Sequence, residues 1–359
     1  MENLNIQIEE YINKIKNQCE NYLVIVLGNV KKITDNFDNF DSGTSVEAEY
    51  YSLKQFNDIV MCLQNNGLET LCYFDEMDFI LDILARRIRN NYPKKFIVLN
   101  FAQKGIVQGR KSLIPVFCEM NKIMHTNSNG FVSSFAREKF YWNLCLKHHF
   151  DTPESWLYDN GEWRLGKPNI GEKVILKLSN QASSIGLDSE SSIFNYALEK
   201  DEVIDRLSKI YNEPVLVQKF ISGQEVEVPI VYNGNKCFAL PPAGIMIEQD
   251  EFLGDKFLDY YKRGNQGFSR YDYRNKYPDL AIKMQKNSIE IAKFLDLQGI
   301  CRIDYRLDKY KNFYVTDINC NPHLTETSCI AKSMGYLGYK KYEDTILFLL
   351  GLTISRRPN

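Results

Sequence analysis

The sequence lacks several features that mark particular classes of protein. Its 359 residues include 44 basic and 46 acidic side chains, and the net charge of −2 argues against the basic excess of a nucleic-acid-binding protein. The first residues have neither the basic nor the apolar segment of a secretory signal peptide. The longest apolar run, residues 346–354, reaches about half of a membrane span and predicts a closing core helix. We therefore expect a small-molecule partner, no nucleic acid and no membrane.

Cysteine pairs at metal-binding spacing are also missing. Nine cysteines are scattered along the chain without a CxxC motif, which is typical of reduced thiols in a reducing compartment, so a cytoplasmic location is predicted. The hydrophobic fraction of 44% and the charged fraction of 25% are those of a folded globular protein. The length exceeds one ordinary core and predicts two or three subdomains.

Strand and helix patterns alternate through about the first 125 residues. The predicted elements are strands over 22–27, 68–74 and 96–99, helices over 46–65 and 79–89, and a polar loop over 31–44. The first strand is an unbroken apolar run, as expected of a strand that is buried on both faces. This alternation predicts an α/β fold with a doubly wound parallel sheet.

The pattern changes after about residue 130. Helices are predicted over 138–147, 203–211 and 278–295, and strands over 173–178, 214–221, 225–232, 301–307 and 313–319. The last two strands are joined by a polar turn and should pair in an antiparallel way. We predict three domains, at residues 1–130, 131–220 and 221–359.

The last hairpin carries the most informative side chains. Strand residues two apart share a face, so Arg302 and Asp304 point the same way, as do Asp317 and Asn319 on the partner strand. If the strands pair, two carboxylates and an amide converge, a set of oxygen ligands that suits Mg²⁺ held together with phosphate. The alternative is a surface hairpin with solvated charges, which is disfavoured because Asp and Asn are depleted in strands.

Two further segments carry weaker signals. Lys177 lies inside the predicted strand 173–178, which precedes a loop of small residues, 179–186. This loop can present N–H groups and hydroxyls to phosphate or can simply turn the chain. The apolar strand that ends in Gln218 and Lys219 can hydrogen-bond an adenine edge, and Glu225 can bind ribose hydroxyls. By itself that segment is only a hairpin.

Together, and in this order, these segments resemble the ATP-grasp superfamily, specifically its D-alanine–D-alanine ligase branch, from about residue 23 to 333. The resemblance implies an amino-terminal parallel-sheet domain followed by a two-part α+β ATP-grasp fold that clamps the nucleotide between two sheets. It implies an ADP-forming ligase that joins a carboxylate to an amine through an acyl phosphate, with ATP and Mg²⁺ (Mn²⁺ as a possible substitute). Amino-acid-like substrates, a dipeptide or amide product and a homodimer are also implied.

The resemblance assigns roles residue by residue. Nucleotide binding falls on Lys139, Lys177, Ser183, Ser184, Gly186, Gln218, Lys219 and Glu225. The metal ligands fall on Asp304, Asp317 and Asn319, the second of which is usually Glu in the family. Catalytic roles fall on Arg302, Lys262 and Ser183. Substrate contacts fall on Glu47, in the motif Gly43-Thr-Ser-Val-Glu47, and on Arg263, His323 and Ser328.

The sequence departs from the family pattern on the substrate side. His323 replaces a glycine, and residues 100–105 replace a histidine and an acidic-glycine stretch. Arg263 stands near the position at which the family usually has a tyrosine that helps to close the serine loop. His323 has two open readings, as a group that contacts substrate or relays a proton, and as a bulky wall of the pocket. The alternatives in function are a ligase for a peptide or a non-amino-acid amine, and an inactive nucleotide-binding scaffold. The complete metal set argues against the scaffold.

Overall fold

The computed structural model describes residues 2–35, 44–188, 191–264 and 267–356. The α-helices in these ranges are α1 (Glu2–Lys16), α2 (Leu53–Asn65), α3 (Glu76–Leu84), α4 (Arg87–Asn91), α5 (Leu113–Met120), α6 (Gly130–Phe135), α7 (Lys139–Leu146), α8 (Asp201–Tyr211), α9 (Tyr260–Gly264), α10 (Pro278–Phe294), α11 (Cys329–Gly335) and α12 (Tyr342–Thr353). Short 3₁₀ helices cover Cys19–Asn21, Val46–Glu49, Gln108–Lys111, Leu198–Lys200 and Tyr273–Asn275.

The strands form three sheets within the same residues. They are β1 (Tyr22–Leu27), β2 (Glu69–Tyr73), β3 (Lys95–Asn100), β4 (Met124–His125), β5 (Ser155–Asp159), β6 (Glu162–Trp163), β7 (Lys173–Leu178), β8 (Ile193–Asn195), β9 (Val215–Lys219), β10 (Gln224–Tyr232), β11 (Cys237–Ala239), β12 (Ala243–Met246), β13 (Ser269–Asp272), β14 (Gly299–Leu307) and β15 (Phe313–Asn319). In this part of the chain no helix is both long and apolar enough to cross a membrane.

The amino-terminal sheet is parallel and has the strand order β2-β1-β3-β4. Every residue of β1 is buried, because apolar clusters cover both faces of the sheet. Helix α12 packs against α1 on one of these faces, and a Cβ at Gly351 would lie 1.9 Å from the carbonyl oxygen of Tyr11. The helix predicted from the last apolar run therefore completes the amino-terminal core, although it lies in the third predicted domain. The domain boundaries themselves stay a prediction.

The helix predicted over 46–65 is wrong in its first turns. Residues Val46–Glu49 form a 3₁₀ turn, and α2 starts only after Ser52. Ser52 and Gln55 form a capping box, in which Ser52 Oγ accepts from Gln55 N at 3.2 Å and Ser52 N donates to Gln55 Oε1 at 2.9 Å. This cap stops the helix before it reaches Glu49 and leaves the preceding turn free to face the rest of the molecule.

The other helix predicted in this region is interrupted. Arg86, in the second half of the predicted 79–89 helix, has a left-handed backbone with φ of 57° and separates α3 from α4. The amino-terminal helix α1 was not predicted at all. Only part of the predicted 31–44 loop lies within the described residues, as does only part of the Gly43–Glu47 motif.

Two antiparallel sheets make up the rest of the molecule. One has the strand order β6-β5-β9-β7-β8, and the other β13-β12-β10-β14-β15, with β11 paired to β10. Gly223, just before β10, has φ of 154°, and a Cβ there would lie 1.7 Å from the carbonyl oxygen of Leu307. A glycine is therefore required where β10 begins beside the end of β14.

Candidate active site

A cavity of about 610 Å³ lies among the two antiparallel sheets and the 3₁₀ turn Val46–Glu49. Most residues predicted for the site line it: Glu47, Lys139, Lys177, Ser183, Ser184, Gln218, Lys219, Glu225, Arg302, Asp304, Asp317, Asn319, His323 and Ser328. Gly186 and Lys262 do not line this cavity. The side chain of Arg263 lies outside the described part of the structure.

The predicted hairpin forms in the register that brings its polar residues together. Arg302 pairs with Asn319 and Asp304 pairs with Asp317, with a bulge just beyond the second pair. Among the described residues no cluster of three His, Cys, Asp or Glu side chains could hold a metal ion, and Asn319, which lines the same cavity, offers an amide oxygen beside the two aspartates. Burial raises the pKa of Asp304, Arg302 opposes this, and the charges of Glu227 and Asp317 add to the rise. A divalent cation at this point would stabilise both aspartates, so the donor set fits Mg²⁺.

Arg302 lies in a chain of alternating charges that sequence reasoning missed. Its guanidinium donates to both oxygens of Asp304 at 2.6 Å and forms an ion pair with Glu227 at 3.2 Å. The Glu227 side chain is fully buried and also accepts from Arg270 Nε at 2.6 Å. Glu227 stands opposite Asp304 in the β10–β14 register, and only this pairing across strands reveals the chain of charges. These contacts fix the direction in which Arg302 points.

Two predicted lysines line the cavity, Lys177 on β7 of the other sheet and Lys139 on α7. Lys177 Nζ donates to Gln218 Oε1 at 2.9 Å and to the Thr316 carbonyl at 3.2 Å, so it bridges the two antiparallel sheets. Lys139 is buried at the start of α7, and its Nζ donates to the Gln181 carbonyl. Burial lowers the pKa of both lysines, and that of Lys177 falls to about 8. Each ammonium would gain from a phosphate oxygen within contact distance.

The adenine and ribose candidates line one end of the same cavity. Gln218 is buried and donates through Nε2 to Ser155 Oγ at 3.1 Å, while Lys219 forms an exposed ion pair with Glu172. Glu225 forms an ion pair of 3.3 Å with Arg306, whose guanidinium lies 5.0 Å from the centre of the Phe220 ring. The apolar ring and the neighbouring polar groups together suit a base with its ribose.

The serine loop is held in an unusual backbone conformation. Ser183 and Ser184 both have left-handed φ angles, 53° and 57°, which cost non-glycine residues on the order of 1 kcal/mol each. Ser184 Oγ donates to the Leu258 carbonyl at 2.6 Å, which attaches the loop to the segment before α9. Gly186 has φ of 75°, and a Cβ there would approach Leu178 and Tyr211 to 3.1–3.2 Å. Gly186 therefore turns the loop by its backbone conformation and does not line the cavity.

Lys262 lies apart from the predicted catalytic groups. Its Nζ forms an ion pair of 2.5 Å with Asp259, whose carboxylate also accepts the backbone N–H of Lys262 at 2.8 Å. This local interaction at the start of α9 holds the ammonium of Lys262, which does not line the cavity.

His323 is fixed in a neutral form. Its Nε2 lies 3.0 Å from the Glu49 carbonyl oxygen, which can only accept, so the proton is on Nε2. The ring lies 4.2 Å from that of Tyr51, and burial lowers the pKa of His323 to about 4. A proton relay near neutral pH is therefore disfavoured, whereas a neutral wall or hydrogen-bond acceptor fits. Ser328 lines the same side of the cavity and caps α11, where its Oγ accepts from Ala331 N at 3.3 Å.

Glu49 organises a second cluster that sequence reasoning missed. Its buried carboxylate accepts from Arg110 at 2.7 Å, from Arg137 at 2.8 and 3.2 Å and from Ala182 N at 3.3 Å. Burial alone would raise the pKa of Glu49, but Arg137 and Lys111 bring it below its usual range. Glu49 therefore connects the turn that carries Glu47 to the serine loop. The capping signal Ser52-x-x-Gln55 would have placed Glu49 outside the helix, but nothing in the sequence identifies its partners.

The family is decided by a match across the second half of the chain. A sequence profile described as D-ala D-ala ligase C-terminus matches residues 158–350, more than half of the chain. The chain belongs to the D-alanine–D-alanine ligase family. The D-alanine–D-alanine ligases of Ralstonia pickettii and Aquifex aeolicus are 26% and 27% identical to it over 315 and 317 residues. These alignments cover 86% and 85% of this family member, and 87% and 97% of the respective relatives.

Solved structures agree with the fold of this family member. The D-alanine–D-alanine ligase of Bacillus anthracis complexed with ATP has a TM-score of 0.60 at 18% identity, with 91% of this chain and 96% of that chain covered. The VanG D-Ala:D-Ser ligase of Enterococcus faecalis has a TM-score of 0.64 at 13% identity, with 93% and 99% covered. The predicted fold class, family and enzyme class, an ADP-forming ATP-grasp ligase, are confirmed.

Proposed function

We propose that this protein uses Mg·ATP to join the carboxylate of one amino acid or amino-acid-like compound to the amine of another. One observation carries the proposal: Lys139, Lys177, the serine loop and the paired Asp304 and Asp317 line one cavity, although they come from a helix, a loop and two different sheets. The names of the relatives, which are D-alanine–D-alanine ligases, support amino-acid substrates. The altered residue at position 323 leaves the identity of the two amino acids open.

Magnesium would be held by Asp304, Asp317 and Asn319, and it would neutralise charge on the phosphate oxygens during transfer. The protein side chains act around that centre. Lys139 and Lys177 bind phosphate oxygens, and the loop at Ser183 excludes water, which would otherwise hydrolyse the acyl phosphate.

The reaction proceeds by two displacements. A carboxylate oxygen of the acid attacks the γ-phosphorus, the bond to the bridging oxygen of ADP breaks, and an acyl phosphate forms. The amine then attacks the carbonyl carbon, phosphate leaves and the amine loses a proton. Arg302, held by Asp304 and Glu227, is in place to stabilise the oxyanion of the tetrahedral intermediate.

A direct assay tests this proposal. Purified protein is incubated with ATP, Mg²⁺ and pairs drawn from a pool of D- and L-amino acids, and the products are analysed by mass spectrometry. ADP and phosphate should be released in step with a new amide, and only when both partners are present. AMP and pyrophosphate, or no nucleotide turnover with any pair, would contradict the proposal.

The affinity for ATP should depend on pH through Lys177. Its pKa of about 8 is lowered first by burial and further by Lys139 and Arg306, whereas Asp317 and Glu225 raise it. Phosphate binds the protonated form, so affinity should be constant below about pH 7.5 and fall about tenfold per unit well above pH 8. The dissociation constant of Mg·ATP, measured calorimetrically without acid or amine, checks this. Lys177→Arg, which stays charged, should flatten the curve, and an equal slope in both proteins would contradict the assignment.

We also propose a homodimer formed through α3 and α5. The two helices contact each other through Phe79 and Phe117, whose rings lie 5.8 Å apart. Their outer faces expose Met77, Leu81, Leu84, Leu113, Val116 and Met120. Such an apolar face can pair with the same face of a second copy about a two-fold axis. A cytoplasmic location is proposed as well, because all nine cysteines are free thiols.

Light scattering tests the dimer. The measured molar mass should be twice the 41.9 kDa of one chain. Met120→Glu, which changes a residue that is 81% exposed, should give a monomer. Leu165→Glu, at an exposed position remote from these helices, should stay dimeric. A monomeric wild-type protein, or a dimer that tolerates the change at Met120, would contradict the proposed interface.

A further inference from the structure

Lys262 on α9, which was expected to supply a positive charge at the site, does not line the cavity, whereas Lys111 does. Lys262 is paired with Asp259 and does not line the cavity. Lys111, which comes from the amino-terminal domain, is only 5% exposed and lines the main cavity. It ends the 3₁₀ turn Gln108–Lys111, directly before α5.

Lys111 also borders the predicted reaction centre. A second, small cavity of about 20 Å³, roughly the volume that one water molecule needs, is lined by Lys111 together with Lys139, Asp317 and Asn319. Lys111 therefore lies in the wall shared by the two cavities, as do Asp317 and Asn319, two of the side chains predicted to hold Mg²⁺.

Lys111 forms only a long ion pair with its nearest carboxylate, without a hydrogen bond. Its Nζ lies 3.9 Å from Glu49 Oε2, beyond hydrogen-bonding distance. The Glu49 carboxylate already accepts hydrogen bonds from Arg110, Arg137 and a backbone N–H. A buried ammonium that lacks a hydrogen-bonded counter-ion is costly, so a bound anion at this point would stabilise it.

We propose that the Lys111 ammonium binds the phosphoryl group that is transferred, first as the γ-phosphate of ATP and then as the acyl phosphate. Lys111 thereby supplies the positive charge that the family resemblance assigned to Lys262. As the bond from γ-phosphorus to the ADP oxygen breaks and the bond to the substrate carboxylate forms, Lys111 stays protonated and neutralises an equatorial oxygen. The arginines around Glu49 keep that carboxylate hydrogen-bonded, so that Lys111 stays at 3.9 Å from it without a hydrogen bond.

This inference rests on the proposed function, and nucleotide binding tests it without knowledge of the amino-acid substrates. Calorimetry at pH 7.5 measures the dissociation constants of Mg·AMPPNP and Mg·ADP, whose ratio isolates the γ-phosphate. Lys111→Met, which keeps the length of the side chain without its charge, should lower the preference for AMPPNP by about tenfold or more and leave ADP binding unchanged. Lys111→Gln should do the same, and Lys111→Arg should keep the preference.

Two further variants sharpen the test. Lys104→Met, in the same segment but ion-paired with Asp75 and outside the cavity, should bind both nucleotides like the wild type. Lys262→Met should change the ratio less than Lys111→Met does. An unchanged ratio in Lys111→Met and Lys111→Gln, or an equal loss in Lys262→Met, would overturn the inference alone. A wild-type protein that binds neither nucleotide would instead overturn the proposed function.

Discussion

Replacing Asp317 by alanine is expected to abolish ligase turnover and to leave the fold intact. Asp317 is only partly buried, lines both cavities and pairs in register with Asp304. The metal that it is proposed to hold would stabilise the charge of the transition state by several kcal/mol. Without this carboxylate, a loss of turnover of about a thousandfold or more is expected. Steady-state release of ADP and thermal unfolding, measured on the same preparation, separate the two effects.

Two controls make this result specific. Asp317→Glu restores the carboxylate that the family usually carries and should retain much of the turnover. Asp255→Ala removes a carboxylate that is 58% exposed and paired with Lys173, and it should have little effect on either measurement. Turnover within tenfold of the wild type in Asp317→Ala would show that the hairpin does not hold the metal.

The carboxy-terminal hairpin could be predicted because the residues that define its pairing are close together in the sequence. The alternation of Arg302 with Asp304, and of Asp317 with Asn319, needs only the strand period and a short turn to define which side chains face each other. The structure has this pairing, including the pairing of Asp304 with Asp317. The same reasoning succeeded for β1, whose unbroken apolar run reports burial on both faces.

The charge clusters could not be predicted because they depend on contacts between distant segments. Glu49 meets Arg110, Arg137 and Ala182, which lie 61, 88 and 133 residues further along the chain. A buried Glu in a helix-like pattern gives no sign of such partners, and the apolar spacing over 46–65 wrongly extended the helix through it. The sequence likewise shows Glu227 only as a residue of the predicted strand 225–232. Its partner Arg270 lies on β13, which is separated from β10 by β12, so the pairing could not be predicted.

The case of Lys262 shows how a resemblance can identify a residue without defining its position. The motif matched, but Asp259, three residues earlier and directly before α9, pairs with the ammonium. An ion pair at this spacing on one helical turn is a local and favourable contact. A sequence match reports which residue occupies a position in the chain, whereas the direction of a long side chain is decided by its neighbours.

Replacing Glu49 by glutamine is expected to destabilise the protein by about 3–5 kcal/mol, because it leaves Arg110 and Arg137 buried without a counter-charge. Both guanidiniums are at most 5% exposed, so water cannot replace the lost partner. Urea unfolding followed by circular dichroism measures the change. Glu69→Gln, which breaks the partly exposed ion pair with Lys94, is the matched control and should cost less than about 1 kcal/mol.

The pH dependence of this difference tests its electrostatic origin. The folded pKa of Glu49 is held below its unfolded value of about 4.3, so the stabilisation by its charge is complete above that value and is lost as the pH falls through the folded pKa. The gap between wild type and Glu49→Gln should therefore be constant from pH 6 to 8 and should narrow only in acid. If the gap instead changes between pH 6 and 8, or is no larger than that of Glu69→Gln, the Glu49 carboxylate is not the charged centre of the cluster. The argument that the positive charge of Lys111 is not fully compensated would then fail, because it depends on a single ionised carboxylate that faces two arginines and a lysine.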